Sequence, residues 1–314
     1  VPATAYRRAT AVPLPTVRTV AGYRRAVEAA RRSGATLGVV PTMGALHAGH
    51  RSLIERAAAD CDVVVVTIFV NPTQFGEAAD LASYPRTPIT DLEVAARSGA
   101  SFAFVPAVTE MYPDGLCTVP LPAATTALGR RLEGRSRPGH FDGVATVVPR
   151  LLAPAGPCRA YFGEKDFQQL ALVRLVVGEL GLPVDVVGCD TVRDPDGLAL
   201  SSRNVRLSAR ERQAALVLSH ALAAGARSLS SGAVDASAVE VAMAGVVAGE
   251  PSVELDYAVL VRADTLEAVD RLDSTSLPLR LLVAATVGGV RLIDNLDPRR
   301  PLPDELSGPD PGRS

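Results

Sequence analysis

Concentrated positive charge is missing from this chain. Its 314 residues carry a formal net charge of −2, and the densest basic neighbourhood is Arg130 and Arg131 with Arg135 and Arg137. A nucleic-acid binder displaces counterions with a cationic face, so that class is disfavoured. Cysteine is scarce as well. Cys61, Cys117, Cys158 and Cys189 are scattered with no C-x-x-C pair, which gives neither a disulfide framework nor a zinc site. Cys61 and Cys189 sit beside Val-rich runs, where a thiol behaves as a small buried hydrophobe. Long apolar runs are absent: the longest, residues 63–70, is interrupted by Thr67 and is too short for a bilayer. The N-terminus lacks the basic-then-apolar pattern of a signal peptide. These absences predict a cytoplasmic chain with neither a membrane nor a nucleic acid as partner.

Lysine is the scarcest charge. Lys165 is the single lysine among 32 basic residues, the rest being arginine. A compact ammonium and a planar guanidinium are not interchangeable, so a solitary Lys in an Arg-rich chain marks a position that needs a point charge. Histidine is nearly as rare, with four in total. His47, His50 and His140 all fall within segments considered below.

What is present is a globular balance, 47% hydrophobic and 21% charged, able to build a core. Residues 1–17 lack periodicity and read as a loose tail. Helical spacing over 20–33, a strand at 36–40, a helix at 48–59 and a strand at 63–70 form a βαβ unit and predict a parallel sheet. Helices near 90–98, 143–153 and 167–180 alternate with strands near 101–105, 159–162 and 183–189. Residues 18–190 therefore read as a Rossmann-like doubly wound α/β domain with ligands at strand C-termini. Asp194-Pro195-Asp196-Gly197 is a turn and a domain boundary. Residues 191–296 read as a smaller α+β domain: helical stretches at 208–230 and 235–248, then three strands, the last two flanking Gly288-Gly289 as a hairpin. Residues 297–314, rich in Pro, Asp, Gly and Arg, read as disordered.

Four segments carry chemistry. Met43-Gly44-Ala45-Leu46-His47-Ala48-Gly49-His50 lies where the first strand gives way to a helix, and a helix N-terminus is an anion site. Two imidazoles three residues apart share one face of that turn and suit charge developing on a phosphate. Leu200-Ser201-Ser202-Arg203-Asn204 offers two hydroxyls and a guanidinium for clamping a triphosphate. Gly163-Glu164-Lys165-Asp166-Phe167-Gln168-Gln169 places the only lysine at another strand-to-helix junction, with Gln169 one turn further on. Asn71-Pro72-Thr73-Gln74 presents amides at the end of an apolar strand, suited to orienting a hydroxyl or carboxylate. Taken singly, each has a bland reading: a surface helix, an ordinary loop, a solvated cap with Asp166 at its N-terminus, an Asn-Pro turn. Together the first two resemble the paired signatures of class I nucleotidyl-transfer enzymes, the second being a KMSKS-type loop.

The ordered set VPTMGALHxGH, IFVNPxQF, YPRTP, RPxHFxGV, FGEKDxQQ and SSRN is similar to that of the pantoate–β-alanine ligase family over roughly residues 18–296. The resemblance implies a homodimer with a Rossmann-like N-terminal domain and a C-terminal lid. It implies adenylation of pantoate by ATP·Mg²⁺, release of pyrophosphate, and displacement of AMP by β-alanine. Met43 to His50, Gly163 to Asp166, Val192 and Leu200 to Arg203 would surround ATP. His50, His47, Lys165, Arg203, Ser201 and Ser202 would act on the phosphates. Gln74 and Gln169 would hold pantoate, with Asn71 and Arg137 close by. Two departures stand out: Leu200 replaces the usual Met, and the acidic run after YPRTP is reduced to Ile89-Thr90-Asp91. Asp91 is thus the one candidate magnesium ligand. Two other readings remain: another small-molecule nucleotidyltransferase, or a non-catalytic nucleotide-binding module. An aminoacyl-tRNA synthetase is disfavoured by the lack of a basic tRNA-binding extension.

Overall fold

Valine on valine builds the centre of the molecule. A computed structural model describes residues 14–76, 78–119, 123–272, 278–303 and 306. Strands β1 (Thr16–Val17), β2 (Leu37–Thr42), β3 (Val63–Ile68), β4 (Phe102–Phe104), β5 (Cys158–Gly163) and β6 (Val184–Cys189) form one sheet. Their order is β1-β4-β3-β2-β5-β6, every pair parallel. Successive strand residues face opposite sides. Val39, Val65 and Phe104 enter one core with Tyr23 of helix Val20–Arg32 and with helices His140–Leu152 and Phe167–Glu179. Val40, Val64 and Val66 enter the other with Leu53, Ile54 and Ala57 of helix Ala48–Asp60. Coverage on both faces is why these strands read as continuous apolar runs.

The edge of this sheet departs from expectation. Residues 1–13 of the expected tail lie outside the described residues, but Leu14 is buried and Thr16–Val17 pair with Ala103 and Phe104. A two-residue strand has no periodicity of its own. Its existence is decided by the exposed edge of β4.

Past β6, helices Ala209–Ala215, Val217–Ser230 and Ala236–Ala248 precede an antiparallel sheet of β7 (Val253–Arg262), β8 (Leu279–Val287) and β9 (Val290–Leu296). Gly288 and Gly289 both take positive φ at the β8–β9 hairpin, the conformation a two-residue turn of matching twist requires. One sheet face meets the helices through Leu260, Leu281 and Val283 against Leu222, Val239 and Met243. Its other face, through Tyr257, Leu282 and Ala284, joins the same core as helix His140–Leu152. Each large apolar side chain buried there contributes roughly 1.5–3 kcal/mol, so the small sheet is firmly seated on the large domain. Residues 297–303 continue past β9, and Arg300 pairs with Glu164 and Asp190. The remainder of the predicted tail, apart from Leu306, lies outside the described residues.

The site follows from topology. Strand order reverses between β2 and β5: the chain adds β3 and β4 on one side and β6 on the other. Connections leaving these two strands diverge, opening a crevice at their carboxyl ends.

Candidate active site

Two of the sequence segments flank that crevice, residues 43–50 after β2 and residues 163–169 after β5. Between them lies a cavity of about 1000 Å³, lined by Met43, His47, Gly49, His50, Gln74, Arg137, His140, Gly163, Lys165, Asp166, Gln169, Val192, Leu200, Ser201, Ser202 and Arg203. Segments separated by more than a hundred residues thus share one wall. Gly44, Ala45, Leu46, Ala48, Asn71, Asp91 and Glu164 do not line it; their contacts place several of them behind the wall.

The histidine turn is built by its own side chains. His47 is the N-cap of helix Ala48–Asp60, its Nδ1 accepting from the Gly49 N–H at 3.1 Å. His50 reaches back, its Nδ1 accepting from the His47 N–H at 3.4 Å. This is a capping box with imidazoles in place of the usual hydroxyl and carboxylate. An accepting Nδ1 leaves the hydrogen on Nε2 in the neutral ring. Burial lowers both pKa values, that of His50 to about 4, and Lys165 and His47 respectively push each down further. At neutral pH each ring is therefore an uncharged Nε2–H donor, their centroids 4.2 Å apart. A Cβ on Gly49 would lie 2.9 Å from His47 Cε1, so glycine there keeps the ring in place.

Lys165 is held from the C-terminal sheet. Its side chain is only 17% exposed, with Nζ 4.0 Å from Asp166 Oδ1. Asn295 of β9 donates through Nδ2 to the Glu164 and Lys165 carbonyls, both at 2.9 Å, and accepts from Arg280 Nε at 2.7 Å. Glu164 was expected to contact ATP. Instead its buried carboxylate accepts from Arg280 Nη2 at 2.8 Å, and that guanidinium lies over the Phe167 ring. Its place is structural: it ties the lysine turn to β8.

An amide-lined end adjoins this region. Gln74, buried, accepts at Oε1 from Asn71 Nδ2 at 3.1 Å and turns its Nε2 to Met43 Sδ at 3.0 Å. Asn71 is fixed in turn by the Tyr112 hydroxyl at 2.6 Å and donates to the Gly143 carbonyl at 3.2 Å. Arg137 Nη1 lies 3.1 Å from His140 Nε2, and His140 Nδ1 lies 3.0 Å from the Gln74 carbonyl. A guanidinium only donates and a carbonyl only accepts, so His140 is neutral with its hydrogen on Nδ1. Burial, with Arg137 adding to it, lowers its pKa to about 4. His140 thereby links the arginine to the glutamine backbone.

Ser201 caps the Ser202–Arg206 turn, accepting from the Arg203 N–H at 3.2 Å, and Asn204 Nδ2 donates to the Ala199 carbonyl at 3.0 Å. The stem of this loop is anchored by a buried two-pronged pair, Arg193 to Asp294 at 2.6 and 2.9 Å.

Asp91 does not stand where a metal ligand should. It is 1% exposed, and its oxygens accept from the Ala45 N–H at 3.1 Å, the Leu46 N–H at 2.8 Å and the Thr87 hydroxyl at 3.1 Å. Among the described residues no group of three or more His, Cys, Asp or Glu side chains is arranged to hold a metal. The expectation of Asp91 as a magnesium ligand is set aside on that geometry, because the carboxylate is buried off the cavity wall and engaged by three donors of the 43–50 turn and its own N-cap.

Sequence reasoning missed the residues that brace the wall. Glu133 accepts from Arg291 through both oxygens, each at 2.6 Å, and from the Tyr257 hydroxyl at 2.8 Å. Gln168 holds the same turn through the Glu133 N–H at 3.0 Å. Asn295, Arg291 and Tyr257 sit on strands with no local signal of a site. His140 had one, the RPGHF segment, yet only the fold shows its partners.

A switch-point crevice walled by imidazole N–H groups and an ammonium is the architecture of an α/β enzyme that works on a phosphorylated nucleotide. Comparison with known proteins narrows the class. Residues 15–297 match the pantoate-beta-alanine ligase family, and the chain belongs to that family. A pantothenate synthetase of Salinispora arenicola is 52% identical over 276 residues, covering 87% of this chain and 95% of that protein. Another, from a Chelativorans species, is 49% identical over 92% of this chain and 99% of its own. The pantothenate synthetase crystal structure from Thermus thermophilus superposes with a TM-score of 0.82 at 43% identity, covering 91% of this chain and 99% of that one. A pantoate-beta-alanine ligase from Francisella tularensis, solved with beta-gamma ATP and β-alanine, superposes with a TM-score of 0.70 at 30% identity over 92% and 100%.

Proposed function

We propose that this chain condenses (R)-pantoate with β-alanine at the expense of ATP, through a pantoyl-adenylate that stays non-covalently bound. The observation that carries this is the continuity of one cavity from His47, His50, Lys165 and Arg203 to Gln74, Gln169 and Arg137. The cavity's volume, about 1000 Å³, is at the upper end of small-molecule sites, room enough for a nucleotide beside a small hydroxy acid.

A carboxylate oxygen attacks the α-phosphorus while the bond to pyrophosphate breaks. The β-alanine amine then attacks the acyl carbon, loses a proton, and AMP departs with the former carboxylate oxygen. Splitting the reaction this way replaces a poor leaving group with a good one. His47 and His50 supply neutral N–H donors, and Lys165 and Arg203 supply positive charge where charge develops on the phosphates. Ser201 and Ser202 place their hydroxyls on the same wall. Gln74 and Gln169 orient pantoate through amides, and Arg137 offers a cation to its carboxylate. Magnesium enters as part of ATP·Mg²⁺, held by the phosphates. The family likeness is the support for reading the chain as a cytoplasmic homodimer.

The test uses pantoate labelled with ¹⁸O in its carboxylate. Pyrophosphate should appear only when pantoate is present, and β-alanine should then deliver one label into AMP. Label in pyrophosphate or phosphate would replace adenylation with an acyl-phosphate route. Pyrophosphate release indifferent to pantoate would assign the chain to another nucleotidyl transfer.

A further inference from the structure

We infer that Asp91 is a positioning residue, one that sets the histidine turn through two backbone amides. The inference rests on the nucleotide role proposed for that turn. The turn needs an external hold. Gly44 has φ 84° and Ala45 φ 51°, and a left-handed alanine costs free energy unless neighbours compensate. The Ala45 and Leu46 N–H groups lie ahead of helix Ala48–Asp60 and turn to Asp91, which does not line the cavity. Asp91 meets both, one oxygen for each, at 3.1 and 2.8 Å.

The fit leaves no slack. A Cβ on Gly44 would stand 2.9 Å from Asp91 Oδ2 and 3.3 Å from Ile68 Cγ2. Asp91 belongs to helix Pro88–Arg97, which packs outside the sheet, and Thr87 at its N-cap donates to Asp91 Oδ1. An ionised carboxylate accepts through both oxygens, whereas a carboxamide accepts through one and opposes the second N–H with its own. Asp91→Asn therefore breaks one of the two holds without changing size. His47 follows Leu46 directly, so a relaxed turn moves the N-cap and with it both imidazoles.

The experiment compares wild type, Asp91→Asn and Thr87→Val. Asp91→Asn should lower the rate of pyrophosphate release about 100-fold, within the range for misplaced catalytic groups, while pantoate binding measured without ATP stays within twofold. Histidine ring NMR should show the His47 and His50 pKa values moving back toward 6.5, with His140 unmoved. The magnesium concentration for half-maximal rate should be unchanged. Restoration of the rate by excess magnesium would overturn the inference in favour of a metal ligand, and so would unmoved His47 and His50 resonances. Thr87→Val removes one donor to the carboxylate and should show the same pattern more weakly; it carries the test if Asp91→Asn does not fold. The histidine readout needs no substrate, so it stands or falls apart from the identity of the acid activated.

Discussion

Lys165 shows how far a single side chain can be argued. Its scarcity marks it in the sequence, and the structure sets its ammonium on the cavity wall with its backbone carbonyl bound by Asn295. The carbonyl clamp fixes the backbone from which the side chain rises, and the proposed reaction has its charged end meet phosphate oxygens. Lys165→Ala should lower adenylation roughly 10²–10³-fold, the loss typical of one preorganised donor. Lys165→Arg keeps the charge but replaces a point donor with a planar fork, and should be impaired nearly as much. Single-turnover pyrophosphate release with circular dichroism as the folding control decides this. Near-normal turnover of Lys165→Arg would reduce the residue to a general cation.

Two elements meet so closely at Gly143 that one methyl group tests their contact. Helix His140–Leu152 abuts the Pro72–Gln74 turn, and a Cβ on Gly143 would fall 2.4 Å from the Thr73 carbonyl oxygen and 2.6 Å from Gln74 Cα. Gly143→Ala must push them apart. The Asn71–Gly143 and His140–Gln74 bonds would then lengthen, releasing Gln74 and Arg137 together. Losing buried hydrogen bonds of this kind costs about 1–3 kcal/mol, so pantoate affinity should fall about 10-fold or more with ATP affinity little changed. Gly178→Ala serves as control, since nothing lies within 4 Å of its added Cβ. It sits in helix Phe167–Glu179, where alanine is favoured over glycine. Calorimetric titration of each ligand separates the outcomes, and equal losses for both would point to general loosening.

At the scale of the whole molecule, neutral buried histidines make stability depend on pH. His50 and His140 are held at about 4, and His47 is lowered too. The unfolded chain binds protons on these rings near 6.5 while the folded chain refuses them. Between those values the unfolded state carries more protons, so stability rises with pH. Their contribution is full above about 6.5 and is lost as pH falls toward 4. Urea midpoints should therefore drop steadily from pH 7 to pH 4.5, and His140→Gln should flatten that slope. A midpoint that stays level over this range would show that the rings titrate normally.

Much of the site was legible because its chemistry is local. A Gly-rich strand-to-helix turn, a lone lysine at another, and a Ser-Ser-Arg loop stand out in short stretches, and all three line the cavity; continuous apolar strands alternating with helices marked the parallel sheet. The braces were not legible. Asn295, Arg280, Arg291 and Tyr257 lie on strands whose pattern reports only their place in a sheet, and each gains meaning from a partner more than a hundred residues away. Glu164, expected at ATP from its place beside Lys165, and Asp91, expected at magnesium from the family's acidic run, are both buried carboxylates held by donors that only the fold brings to them. Composition and short-range order thus determined the fold class, the nucleotide end and the family likeness, since these depend on periodicity and residue type along the chain. Which carboxylates face the cavity, which histidine tautomers exist, and how the small sheet grips the lysine turn were decided only by tertiary packing, because hydrogen-bond partners and desolvation are properties of distance in space.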